Sequence, residues 1–242
     1  MPPDSEHAGS MVVLTGAGVS AESGVRTFRD LGGLWERYRI EDVATPEAFA
    51  RDPDTVHRFY NERRRLLLSG EVEPNAAHHA LARLDERFDG DFLLVTQNID
   101  DLHERAGSRR LVHMHGELLK ARCGACERVT PASGDLHVDD TCGACGARGA
   151  GRPHVVWFGE IPMEMELICD RLQRCDLFLA VGTSGQVYPA AGFVELARRA
   201  GARTIEVNVE ETGPAGAFDR RVTGKAGDTL PPLVEKLLGD RG

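Results

Sequence analysis

The chain has 242 residues, of which 41% are hydrophobic and 28% charged, with a formal net charge of -9. That length suffices for a sizeable core in one domain or in a domain carrying an insertion. The absence of any run of about 18 apolar residues excludes a membrane-spanning helix, and the acidic balance argues against broad nucleic-acid affinity while allowing lysine-rich protein partners.

The first ten residues, MPPDSEHAGS, lack the basic start and apolar centre of a signal peptide, so a disordered leader and a cytoplasmic location are expected. The stretch 11–29, MVVLTGAGVSAESGVRTFR, reads as strand, tight turn and helix start. Val12, Val13 and Leu14 suit a strand covered on both faces of a parallel sheet. Gly16, Gly18 and Ala21 fit G-x-G-x-x-A, whose small residues let the backbone turn sharply and approach a pyrophosphate. By itself the pattern is equally consistent with a simple turn.

A polar loop over 30–44, carrying Leu34 and Trp35, leads into a helical region over about 46–88. Thr45, Pro46 and Glu47 read as an N-cap, a first helical position and an acidic first turn. Phe49, Val56, Phe59 and Tyr60 supply an apolar face, and a break over 69–75 precedes a second helix through His79, Leu81 and Leu84. This is more helix than a strand crossover needs, so part of it should form a separate module.

Three further buried strands are expected at 92–96, 177–181 and 204–207. They end in Gln97-Asn98-Ile99-Asp100, Gly182-Thr183-Ser184 and Asn208-Val209-Glu210. In an open parallel sheet ligands bind beyond the carboxyl ends of the strands, so these tips point to one crevice, with Glu210 able to accept both hydroxyls of a ribose. Cys123, Cys126, Cys142 and Cys145 are spaced C-x2-C-x15-C-x2-C, the pattern of a closed, tetrahedral, structural zinc site. Gly124, Gly143 and Gly146 suit its turns. Cys169 and Cys175 stand outside the pattern and are expected to be buried small apolar residues rather than ligands.

In this order the motifs resemble those of the sirtuins, NAD-dependent protein lysine deacylases: GAGVSAESGVRTFR at 16–29, TQNID at 96–100, HGE at 115–117, the four cysteines, GTS at 182–184 and NVE at 208–210. Arg26 stands where many eukaryotic members carry proline. The segments 152–160 and 182–193 look closest to bacterial members with an acidic-acyl pocket. The resemblance implies an α/β fold, with a Rossmann-type domain from 11–29, 89–118 and 151–242. It implies also a small domain from a helical insertion, 30–88, and a zinc-bearing insertion, 119–150. NAD, one structural zinc and an acyl-lysine protein segment are the implied ligands, with neither membrane nor nucleic acid.

The family's reaction transfers the acyl group to ADP-ribose, and His115 matches its catalytic base; His113 keeps a structural reading. Asn98 and Asp100 match residues that hold the nicotinamide amide and the ribose side of the cofactor. Gln97, Gly182, Thr183, Ser184, Asn208 and Glu210 match the ribose and adenosine positions. Gly16, Ala17, Gly18, Ser20, Glu22, Thr27, Phe28, Arg29, Trp35 and Ala226 complete the implied cofactor contacts. Val156, Phe158, Gly159 and Glu160 would line an added peptide strand. Tyr60 and Arg63 match a Tyr-x-x-Arg pair that binds succinyl or malonyl carboxylates, although Arg63 opens an Arg63-Arg64-Arg65 run of the kind that is usually a solvated helix face. Two rival readings remain: an NAD glycohydrolase or ADP-ribosyltransferase, and a non-enzymatic zinc-ribbon module.

Overall fold

The computed structural model describes residues 9–25, 38–214 and 216–239. Strand β1 (Ser10–Thr15) is followed by two 3-10 turns (Ala17–Val19 and Ala21–Ser23) and by helices α1 (Ile40–Val43), α2 (Pro46–Arg51), α3 (Pro53–Leu68) and α4 (Ala76–Arg87). Then come β2 (Asp91–Thr96), α5 (Leu102–Ala106), β3 (Leu111–His113), β4 (Gly116–Cys123), β5 (Val129–Pro131) and β6 (Gly151–Val155). The chain closes with α6 (Met165–Leu172), β7 (Leu177–Val181), α7 (Phe193–Arg199), β8 (Arg203–Asn208), β9 (Arg220–Thr223) and α8 (Ala226–Gly239).

Six strands form one parallel sheet in the order β3-β2-β1-β7-β8-β9. The strands run outward from β1 in one direction and from β7 in the other, the Rossmann arrangement, so a crevice opens where β1 meets β7. Alternation along the strands builds two cores. Val13, Leu94 and Leu179 face α4 and α8 through Leu81, Leu84, Leu230 and Val234, while Val12, Leu14, Val95 and Phe178 face α6 and α7 through Ile168, Leu172 and Phe193. Both faces are covered, which is why the central strands read as unbroken apolar runs.

The four expected strands are the four at the centre. The edge strands β3 (LVH) and β9 (RRVT) were not anticipated: each is short and lacks an apolar run. The helix start expected after the glycine turn is instead the pair of 3-10 turns, closed by Gly24 at φ 83°. The Val19 carbonyl, which a continuing helix would use, accepts instead from Asn75 Nδ2 at 2.8 Å.

Thr45 caps α2 by accepting from the Ala48 N–H at 3.0 Å, with Pro46 at the first helical position. The helical region has a second break, unforeseen, at Asp52 and Pro53: Pro53 cannot donate to the preceding turn, and Asp52 accepts from the Thr55 N–H to open α3. Strands β5, β4 and β6 form a separate antiparallel sheet, with β4 between β5 and β6. Phe59, Tyr60 and Leu67 of α3 pack with Leu118, Val155 and Trp157 beside this sheet as a third core. Cys175 is buried as expected, whereas Cys169 on α6 is only partly so. No helix among the described residues is long and apolar enough to cross a membrane.

At the sheet's reversal the loops after β1 and β7 touch backbone to backbone. A Cβ on Gly18 would lie 2.8 Å from Gly182 Cα, and one on Gly182, at φ 59°, would lie 2.6 Å from Val19 N. Gly182→Ala should therefore destabilise the fold by about 1–3 kcal/mol through overpacking, whereas Gly134→Ala, with nothing within 4 Å, should stay within about 0.5 kcal/mol. Denaturant titration of both variants checks the contrast.

Candidate active site and zinc centre

The crevice floor is made by this loop contact. Gly16 N–H donates to Val181 O at 3.1 Å and Gly18 N–H to Gly182 O at 2.9 Å. The N–H groups of Ala17, Thr183 and Ser184 have no acceptor among the described residues, so they can meet an anion or ribose. Asn208 Nδ2 donates to Thr183 O at 2.6 Å, tying the tip of β8 to that of β7, and Glu210 is exposed beyond it. Ala226 opens α8, and Glu22 lies so close to Gly227 that a Cβ there would collide with its carboxylate. Thr27, Phe28, Arg29 and Trp35 lie outside the described residues, as does most of the leader.

Beneath the floor runs a buried polar network. Ser20 Oγ donates to Asp100 Oδ2 at 3.0 Å and accepts from Asn98 Nδ2 at 3.0 Å. Asn98 Nδ2 also reaches Gly16 O at 3.2 Å, leaving Asn98 Oδ1 without a donor among the described residues. Burial pushes the Asp100 carboxyl up to about 6 against the opposing bonds from the Leu102 N–H and Ser20. Ser20 is fully buried and supports the crevice rather than lining it.

Thr15, His78 and His103 were not singled out in the sequence, and Thr96 only as the first residue of TQNID, yet they complete this network. Thr15 Oγ1 donates to Thr96 Oγ1 at 2.9 Å and takes a hydrogen bond from His103 Nε2 at 3.0 Å. His78 accepts from Asn75 N–H at Nδ1, so its Nε2 carries the hydrogen that faces Ser20. Burial draws the His78 pKa down to about 4 and that of His103 well below the ordinary range. A threonine closing an apolar strand, at both Thr15 and Thr96, was the available signal.

His115 follows β3, and its Nδ1 lies 3.0 Å from Gln97 O. A carbonyl can only accept, so Nδ1 holds the hydrogen and Nε2 keeps its lone pair. Burial lowers the His115 pKa, offset in part by the Gln97 bond. Gly116, at φ 79°, has no room for a Cβ against the His154 carbonyl, and this lets the chain turn directly behind His115. His113, two residues earlier, donates at Nδ1 to Asn98 O at 3.0 Å and pairs at Nε2 with Glu104 at 2.6 Å. Burial alone would lower its pKa, but Glu104 raises it, and the pairing ties β3 to α5.

Tyr60 is buried on α3 and its hydroxyl accepts from Trp157 Nε1 at 3.0 Å; burial pushes its pKa up to about 12. The Arg63 guanidinium stacks 3.4 Å from the centre of the Phe59 ring and donates to Phe59 O at 3.1 Å, and burial draws its pKa down to about 10. Glu160 is held by Arg152 through contacts of 2.7 and 2.9 Å and accepts from the Trp157 N–H at 2.8 Å. The N–H groups of Val156 and Phe158 go to His115 O and Ala44 O. Along this segment the Gly159 N–H has no partner among the described residues, and Phe158 is exposed.

The four cysteine sulfurs lie within 4.8 Å of one another, and the Cys123–Cys145 and Cys126–Cys142 separations are both 3.8 Å. A tetrahedron of thiolates about 2.3 Å from zinc has edges of roughly 3.8 Å, so the four fit zinc without rearrangement. The two knuckles match: Glu127 N–H returns to Cys123 O and Gly146 N–H to Cys142 O, each at 2.8 Å, with φ of 59° and 75°. Of the three glycines expected to shape these turns, only Gly146 uses a left-handed conformation; Glu127 holds the equivalent place in the first knuckle.

A parallel sheet whose winding reverses at touching glycine loops belongs to the Rossmann class, here with a four-thiolate unit beside it. The model of the Sir2 family matches residues 16–189, and the chain belongs to that family. It is 56% identical over 231 residues to an NAD-dependent protein deacylase of Shewanella oneidensis, covering 96% of this chain and 95% of that protein. It is 54% identical over 236 residues to the NAD-dependent protein deacylase SIR2rp3 of Trypanosoma brucei brucei, covering 97% of each. Among solved structures, a Sir2 homolog–NAD complex matches with a TM-score of 0.86 at 40% identity, covering 96% of this chain and 91% of that one. A Sir2 variant with deacetylated p53 peptide and 3'-O-acetyl-ADP-ribose matches with a TM-score of 0.79 at 28% identity, covering 96% and 93%.

The thiolate geometry predicts one tightly held zinc per chain. Chelation, or Cys123→Ser, should release it and unfold the β4–β6 unit, because Cys123 ends β4 and its partners close both knuckles. Metal analysis and circular dichroism of freshly purified, reduced protein check this, and a metal-free yet fully folded protein would contradict it.

Proposed function

We propose that this chain is an NAD-dependent protein lysine deacylase that removes succinyl and malonyl groups and also accepts acetyl. Its relatives are named as deacylases over nearly their whole length. The observation that carries the reading is His115, whose Nδ1 hydrogen is committed to Gln97 O and whose Nε2 lone pair is left to act as a base. NAD, when bound, would supply an electrophilic ribose carbon for the acyl oxygen and a ribose hydroxyl as acyl acceptor, so that with one water consumed the products would be nicotinamide, free lysine and 2'-O-acyl-ADP-ribose.

The residues position and deprotonate. His115 Nε2 removes the proton of the attacking ribose hydroxyl. Asn98 Oδ1 accepts from the carboxamide, and Asp100 holds the ribose side through the bonded Ser20 frame. The N–H groups of Ala17, Thr183 and Ser184 meet the phosphate and ribose oxygens, and Glu210 takes ribose hydroxyls. The acyl-lysine segment runs along 156–160, where the carbonyls and the Gly159 N–H are its backbone partners. At the acyl end, the Tyr60 hydroxyl accepts from Trp157 and keeps its own hydrogen to donate, while the Arg63 guanidinium offers a fork to a carboxylate. Both groups hold the needed protonation state at neutral pH.

Incubation with NAD and acetyl, succinyl and malonyl lysine peptides, followed by mass spectrometry, tests the reading. NAD consumption that does not depend on acyl peptide would favour a glycohydrolase instead. His115→Ala should lower deacylation by roughly 100-fold or more with little change in melting temperature. Because burial lowers the His115 pKa, the base stays unprotonated further into acid, and the acid limb of kcat/KM should fall below the ordinary histidine value of 6.5. Arg63→Met should remove a charge-assisted contact of about 1.5–3 kcal/mol, lowering desuccinylation at least about tenfold. Deacetylation should suffer less, and an equal loss of both would assign Arg63 a structural role.

A further inference from the structure

Helix α3 carries two pairs of residues at a spacing of three, Tyr60 with Arg63 and Asn61 with Arg64, one pair about 100° around the axis from the other. The second pair faces the zinc-bearing unit. Asn61 grips the Leu136 backbone both ways, donating from Nδ2 to its carbonyl at 2.9 Å and accepting from its N–H at Oδ1 at 3.0 Å. Arg64 Nε donates to Leu118 O at 3.1 Å, and its Nη1 to Asn61 Oδ1 at 2.7 Å and Gly134 O at 3.3 Å. One guanidinium thus joins α3, β4 and the segment leading to the second knuckle.

This arrangement is costly for a merely structural tie. Arg64 is 0% exposed, its Nη2 has no partner among the described residues, and its Nε and Nη1 donate to neutral oxygens. The nearby Asp135 pairs with Arg65 and favours the Arg64 charge only through space. A buried cation held by neutral acceptors is retained against a desolvation penalty. A rigid fork spanning three segments is something neither lysine nor an apolar side chain supplies. Arg63 is a residue of α3 that donates to Phe59 O and stacks on the Phe59 ring, so a rotation of α3 carries its guanidinium along.

We infer that Asn61 and Arg64 are positioning residues for recognition of the acyl carboxylate: they fix the rotation of α3 against the zinc-bearing unit and thereby aim Tyr60 and Arg63. The inference rests on the reading of Tyr60 and Arg63 given above. A helix rotation of about 10° moves a group about 6 Å from the axis by roughly 1 Å, and an error of that size in a polar clamp can lose up to about 100-fold. An acetyl group has no carboxylate to misalign, so the effect falls on acidic acyl groups.

Wild type, Asn61→Ala, Arg64→Met and Arg63→Met are compared on succinyl- and acetyl-lysine forms of one peptide, with zinc content measured in each. Asn61→Ala is expected to lower the succinyl-to-acetyl ratio of kcat/KM at least about fivefold, mainly by raising KM for the succinyl peptide, with one zinc per chain retained. Arg64→Met should shift the ratio the same way; if it does not fold, Asn61→Ala decides. An unchanged ratio in Asn61→Ala while Arg63→Met lowers it overturns the positioning role alone. A wild type that leaves succinyl peptide untouched overturns the acidic-acyl reading and this inference together.

Discussion

The site depends on two backbones being allowed to touch. Gly18 and Gly182 meet at the point where the sheet's winding reverses, at a separation that no side chain on either residue would permit. Because the loops after β1 and β7 bond to each other, Gly18 N–H to Gly182 O, they form one floor instead of two flexible tips. The N–H groups not consumed by that contact are left to face the crevice. Close packing thus leaves a set of fixed N–H donors that could meet an anion without any charged side chain.

Under this floor, the charge state of each histidine follows from its partners. His78, His103 and His115 are shifted downward by burial and meet a hydroxyl, a backbone N–H or a carbonyl, so each stays neutral. His113 meets a carboxylate and shifts upward. The neutral ones have fixed hydrogens, and the directions propagate: His103 donates to Thr15, Thr15 to Thr96, and Thr96 accepts the Asn98 N–H. Asn98 is thereby held by its backbone as well as its amide, with Oδ1 left without a donor among the described residues. In low dielectric these directed bonds favour one arrangement, with His103 Nδ1 and Asn98 Oδ1 the members that have no partner among the described residues.

Much of this was readable from residue order. Four apolar runs ending in small or hydrogen-bonding residues are a strong local signal, and they are the sheet's centre. The thiolate spacing is equally local. What stayed hidden was non-local. Strands β3 and β9 owe their existence to a free sheet edge rather than to their own composition, and the 3-10 turns after Gly16 reflect the capture of the Val19 carbonyl by Asn75, 56 residues away. The role of Glu160 was likewise invisible, because Arg152 claims its carboxylate only once the turn at Trp157 brings the two together.

The run Arg63-Arg64-Arg65 shows how far a linear pattern can mislead. As a sequence it is a charged face, yet successive helix positions are about 100° apart, so three neighbours point in three directions. Arg63 lies on the Phe59 ring beside the buried Tyr60, Arg64 is enclosed against carbonyls of β4 and the knuckle segment, and Arg65 reaches solvent and pairs with Asp135. The same chemical group therefore serves as a candidate clamp, as a fastening and as a surface charge. Burial weighs on both Arg63 and Arg64, but only Arg64 is fully enclosed, and it ties the helix carrying Arg63 to the rest of the molecule.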